Sequence, residues 1–164
     1  MLKILLSISI VMFSTFCGYI FTKKYRRKKK FFTQICECNE RYLNEISYLR
    51  RPLDEFFSRQ RFKEEFAMLS EEFFARLQED KTIVGVFEEC TTYDFLSKEE
   101  KETVEEYFEM LGKGDSISQK TYFSSIREKI NILRKTAEEN CKKYGDLYIK
   151  LGFLCGLFIV ILLF

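Results

Sequence analysis

Residues 115–164 read DSISQKTYFSSIREKINILRKTAEENCKKYGDLYIKLGFLCGLFIVILLF. Large or apolar residues fall at Phe123, Ile126, Ile130, Leu133, Ala137, Cys141, Tyr144 and Tyr148, in steps of three and four that match the helical repeat. Arg127, Glu128, Lys129, Arg134, Lys135, Glu138, Glu139, Lys142 and Lys143 form the other, solvated face. From Leu151 to Phe164 there is no charge. The helix is therefore amphipathic to Lys150 and apolar all round beyond it, as expected where the surroundings change from water to lipid. This long final helix organises the rest of the chain.

At the other end, Ile4 to Thr22 is a second charge-free run of nineteen residues, which spans about 28 Å as a helix and matches a bilayer core. A cleaved signal peptide carries its basic cluster ahead of the apolar run. Here the cluster follows it, at Lys23, Lys24, Arg26, Arg27, Lys28, Lys29 and Lys30, with only Lys3 in front. That pattern fits an uncleaved anchor whose C-terminal side faces the cytoplasm by the positive-inside rule. Four segments result: an N-terminal transmembrane helix over 1–22, a basic cytoplasmic linker over 23–30, a cytoplasmic helical domain over 31–146 and a C-terminal transmembrane segment over 147–164. The fold class expected is all-α, a compact bundle of about six helices between two transmembrane segments.

The domain after position 30 holds 19 basic and 25 acidic residues, a net charge near −6, which makes nucleic acid a poor partner. The chain has no histidine, so the commonest general base and transition-metal ligand is missing. Six cysteines at 17, 36, 38, 90, 141 and 155 form no CxxC pair and read as reduced thiols.

Within the domain, Ile35, Leu43, Ile46 and Leu49 form a helical stripe that stops at Arg50 and Arg51, ahead of Pro52. Pro52 suits the first position of a new helix that buries Leu53, Phe56 and Phe57. Phe62, Phe66, Leu69, Phe73 and Leu77 mark a third helix, closed by a turn at Glu79, Asp80 and Lys81. Residues 82–87 combine β-branched side chains with a cap signal at Thr82, and a short helix over Ile83 to Cys90 is expected because a lone strand has no sheet to join. Ser97-Lys98-Glu99-Glu100 is a capping box, opening a helix that buries Val104, Tyr107, Phe108 and Leu111. Gly112 and Gly114 supply a turn, and Asp115 or Ser116 caps the final helix.

Three constellations bear on chemistry. Gly112-Lys113-Gly114-Asp115 lacks the GxxxxGK[ST] spacing of a phosphate loop and follows a helix rather than a strand. Cys36-Glu37-Cys38 has no second pair and no histidine, so it makes an incomplete metal site, and no metal or cofactor is expected. The acidic pairs Glu64-Glu65, Glu71-Glu72 and Glu88-Glu89 are sequence neighbours that point in different directions on a helix. In the apolar runs, Gly152 and Gly156 form a GxxxG pair and Ser14 and Gly18 a small-xxx-small pair, able to pack within one chain or between subunits.

Several pieces recur in an order that resembles the stage III sporulation protein AB family. They are the N-terminal anchor, Glu45-Ile46-Ser47-Tyr48, Pro52-Leu53-Asp54-Glu55, Leu111-Gly112-Lys113-Gly114-Asp115 with Gln119, and Ala137, Lys143-Tyr144, Leu147 and Leu151-Gly152-Phe153-Leu154-Cys155-Gly156-Leu157. The motif and packing positions are thus Ile46, Pro52, Leu53, Gly112, Gly114, Asp115, Gln119, Gly152 and Gly156. Two departures are the lack of tryptophan and the heavily basic stretch after the first apolar run.

The resemblance implies a sporulation protein of endospore-forming bacteria in the mother-cell, or outer forespore, membrane, with the helical domain in the cytoplasm and both termini on the opposite side. It implies a subunit of a secretion-like channel, similar in fold to the cytoplasmic domain of type II secretion F proteins. Its partners would be the lipid bilayer, other stage III channel subunits including a cytoplasmic ATPase, and further copies of itself. On this reading the protein is a non-catalytic platform. The competing reading is a membrane-anchored thiol enzyme or redox sensor using Cys36 and Cys38.

Overall fold

Between Lys23 and Leu49 the chain has neither glycine nor proline, and lysine and arginine are good helix formers, so nothing interrupts a helix that starts in the first apolar run. A computed structural model describes residues 2–49, 53–58, 61–78, 85–89 and 91–163. In it α1 is one helix of 43 residues, Leu2–Asn44, ending in a π-helical turn at Glu45–Leu49. The stretch 23–30, set apart above as a linker, is the middle of that helix. Then come α2 (Leu53–Ser58), α3 (Glu64–Gln78), α4 (Val86–Glu89), a 3₁₀ turn at Thr91–Tyr93, α5 (Lys98–Met110) and α6 (Ser116–Leu163). The described residues are helical without a strand.

Pro52, Arg50, Arg51, the turn Glu79-Asp80-Lys81, the cap at Thr82, Ile83, Val84 and Cys90 lie outside the described residues. Of the helix expected over 83–90, Val86–Glu89 is helical, preceded by Gly85 at φ +90°.

The chain divides into two compact units: unit 1 is Met1–Lys29 with Lys135–Phe164, and unit 2 is Lys30–Arg134. Unit 1 therefore takes in residues 135–146 of α6, which the segment boundaries above assign to the helical domain.

Unit 2 is built around aromatic rings. Phe31, Phe56, Phe66, Phe108, Phe123 and Tyr107 are almost wholly buried. Phe31 meets Phe66 and Phe95 edge-on at 5.8 and 5.5 Å between ring centres. Tyr42 meets Phe123 at 4.9 Å, and Tyr107 meets the same ring at 5.3 Å. Edge-to-face pairs of this kind add about 0.5–1.5 kcal/mol each to the area they bury.

The α5 expectations hold in detail. The Ser97 side chain accepts from the Glu100 amide, Glu100 Oε2 accepts from the Ser97 amide at 2.7 Å, and Val104, Tyr107, Phe108 and Leu111 are buried. On α3, Phe66, Leu69 and Phe73 are buried, but Leu77 is 49% exposed. Leu77 stands one residue from the end of α3.

The start of α3 is pinned by one amide side chain. Gln34 Oε1 accepts from the Lys63 amide at 2.7 Å while Gln34 Nε2 donates to the Lys63 carbonyl at 3.1 Å. The next residue, Glu64, holds φ +52° and pairs with Lys30 at 2.5 Å. A non-glycine residue in this region costs about 1–2 kcal/mol, and the two Gln34 hydrogen bonds hold the backbone beside it in place.

Candidate functional site

Five of the motif residues meet at the turn from α5 into α6. Gly112 and Gly114 hold φ of +77° and +83°, the left-handed region that a reversal between two helices requires. Asp115 Oδ1 accepts from the Ser118 amide at 3.0 Å, so Asp115 rather than Ser116 is the cap of α6. The bonds from Ser118 hold the Asp115 carboxyl below its ordinary range. Gln119 closes the turn: its Nε2 donates to the Lys113 carbonyl at 3.2 Å, and its Oε1 accepts from Tyr42 Oη at 2.6 Å. The Gly112 amide donates to the same Tyr42 oxygen at 3.3 Å, and Leu53 packs against Gly112.

Tyr42 is thus the post to which the turn is tied, and burial raises its hydroxyl above the ordinary phenolic range. Sequence spacing does show Tyr42 one helical turn before Ile46, itself buried. Nothing in a single sequence says that its hydroxyl serves a loop some seventy residues away. Chemically the arrangement fixes where α6 begins.

Cys36 and Cys38 lie in unit 2. Cys38 is fully buried, and burial pushes its thiol up to about 12. The Tyr107 hydroxyl is buried beside the Cys38 sulfur. Cys36 is half-buried, with its sulfur 3.7 Å from both the Ile130 carbonyl and Asn131 Oδ1, and burial raises its thiol against the opposing Arg134 charge. Both are protonated at neutral pH, whereas nucleophilic and metal-binding cysteines act as thiolates. Among the described residues, no group of three or more His, Cys, Asp and Glu is placed to hold a metal ion.

Between α5 and α6 runs a groove of about 470 Å³, lined by Ser97, Glu99, Glu102, Glu106, Lys129 and Leu133 among others. It is strongly acidic and open, with one opposing cation.

In unit 1, α1 and α6 cross on their small residues. Ser14 Oγ donates to the Gly152 carbonyl at 2.6 Å. A Cβ on Gly152 would stand 2.7 Å from the Ser14 carbonyl oxygen and 3.3 Å from Gly18 Cα. One on Gly156 would stand 2.9 Å from Val11 Cα, and one on Gly18 would strike the Tyr148 carbonyl oxygen. Such backbone approach is open only to glycine. Further along, Tyr25 stacks on Tyr144 and Tyr148 at 5.1 and 6.1 Å, and Lys29 pairs with Glu138 at 3.5 Å. The pairing is antiparallel and within one chain. Both helices are long and apolar enough to cross a membrane.

A family model described as stage III sporulation protein AB matches residues 3–164. No curated protein and no solved structure matches the chain.

Proposed function

The chain belongs to the stage III sporulation protein AB family, and from that membership we propose that it is a non-catalytic membrane platform of a secretion-like sporulation channel. Its α1 and α6 cross the mother-cell membrane as a hairpin. Unit 2 lies in the cytoplasm, a reading supported by the basic residues at the end of the first apolar run, and docks an ATPase in the manner of the type II secretion F platforms. Other channel subunits pack against the hairpin.

The observation that carries the membrane reading is the outward surface of unit 1. Met12 and Phe13 on α1, and Ile161 and Leu162 on α6, are about 70% exposed or more. Each such side chain favours an apolar environment by about 1.5–3 kcal/mol, and lipid supplies one. The non-catalytic reading is supported by unit 2, where Tyr42, Gln119 and Asp115 are taken up by the turn, Cys38 is fully buried and Cys36 is half-buried.

The test is a crosslinking pull-down of the tagged full-length protein from sporulating cells. Recovery of a cytoplasmic ATPase together with membrane subunits is the expected result. Consistent recovery of neither removes the platform role.

A further inference from the structure

The antiparallel register of α1 and α6 sets the depth of the charges in unit 1. Gly18 touches Tyr148 and Gly152, and Lys150 lies midway between those two along α6. Lys150 is therefore level with Gly18, about 6 Å inside the charge-free run of α1 that ends at Thr22. Two residues removed from each contact, it points away from α1, and it is exposed. Taken with the reading that both helices cross a membrane, this places a lysine below the headgroup level. Its stem reaches a polar environment by extending along α6 toward that level.

The rim above it is strongly basic. Residues 23–29 supply six cations, and α6 adds Lys135, Lys142 and Lys143, against the carboxylates of Glu138, Glu139 and Asp146. Glu138 is already shared between Lys29 and Lys142, at 3.5 Å each. Lys23, Lys24, Arg26 and Lys143 are exposed. At the same level Phe21, Tyr25, Tyr144 and Tyr148 form one aromatic cluster, and the Arg26 guanidinium sits 5.0 Å over the Tyr19 ring. Aromatic rings of this kind belong at a membrane interface. Orientation of the first span accounts for the cations of α1, but not for Lys143 and Lys150 on the outward side of a helix whose charge-free run is five residues shorter.

We propose that this rim, with Lys150 beneath it, is a binding surface for the headgroups of anionic phospholipids. Lys143 and Lys150, two turns apart on one face of α6, draw a lipid phosphate inward. That contact thins the leaflet beside the shorter span and resolves the mismatch between the two helices.

The chain contains no tryptophan, so Leu147→Trp gives a single emitter one turn from both Lys143 and Lys150. The full-length variant is reconstituted in phosphatidylcholine vesicles carrying either brominated phosphatidylglycerol or brominated phosphatidylcholine. Quenching should favour phosphatidylglycerol about fivefold or more, and Lys143→Gln with Lys150→Gln should bring that ratio close to one while helicity by circular dichroism is kept. Equal quenching by the two lipids, or a preference that survives the double substitution, overturns the proposal. Quenching by neither lipid places residue 147 outside the bilayer and overturns the membrane reading instead.

Discussion

Replacing Gly152 by alanine puts a methyl carbon 2.7 Å from the Ser14 carbonyl oxygen, about 0.7 Å short of ordinary van der Waals contact. The obstacle is main chain in the middle of a helix, so α1 and α6 must separate. A gap of that size forfeits a quarter to a half of each dispersion contact along the seam. It also stretches the 2.6 Å bond from Ser14 Oγ to the Gly152 carbonyl, an interaction of about 0.6–1.7 kcal/mol within a membrane. We expect Gly152→Ala to destabilise the full-length protein by about 1–2 kcal/mol in denaturing-detergent titrations of mixed micelles. Gly18→Ala should cost a similar amount through the Tyr148 carbonyl. Because the two glycines face each other, a helix pair already separated by one substitution loses little more to the second, and the double variant should fall well short of the sum. Gly145→Ala is the control, since a Cβ there meets nothing within 4 Å; it should be neutral or stabilise by up to about 1 kcal/mol. Additive losses at Gly18 and Gly152, or a loss at Gly145 equal to that at Gly152, would refute the close-packed crossing.

Gly112→Val should lower the melting temperature of the full-length protein more than Gly114→Val, because both force a β-branched residue to positive φ but only Gly112 also crowds Leu53, at 3.3 Å; equal effects would mean that backbone strain alone matters. Stability should decline as pH rises above 9: the Cys38 thiol ionises near that value when unfolded but is held near 12 in the fold, so the unfolded state sheds its proton first and is favoured. Cys38→Ala should flatten that decline, and an unchanged slope would assign it to other groups. A cysteine introduced at the exposed Glu71 should resist a membrane-impermeant reagent in intact mother cells and react on lysis; labelling without lysis contradicts a cytoplasmic unit 2.

What could be read from residues alone was whatever repeats every three to four positions or caps a helix. The α6 stripe from Phe123 to Ala137, the Ser97–Glu100 box and the two turn glycines all have local causes, and each is where its spacing puts it. Residues 23–30 defeated the same method, because a run in which nearly every side chain is charged has no apolar period to mark it as helix. The buried pair Phe31 and Phe32 that follows was hidden for the same reason. Tyr42, Asn39 and Gln34 act on partners far along the chain, at the α5–α6 turn, the Phe123 carbonyl and Lys63. Such roles follow from tertiary placement, and no local pattern encodes them.

The bond from Ser14 to Gly152 joins residues 138 positions apart, and this separation has a consequence for the order of events in the cell. At about 5–20 residues per second, the Ser14 turn of α1 is synthesised roughly 7 to 28 seconds before its partner segment exists. During that interval its seam of small residues faces lipid or other proteins, and the Ser14 hydroxyl must find an acceptor within its own helix, as Thr15 does at the Val11 carbonyl. The hairpin is therefore assembled after synthesis rather than during it. A chain halted before Gly152 would carry the same seam permanently open to foreign helices.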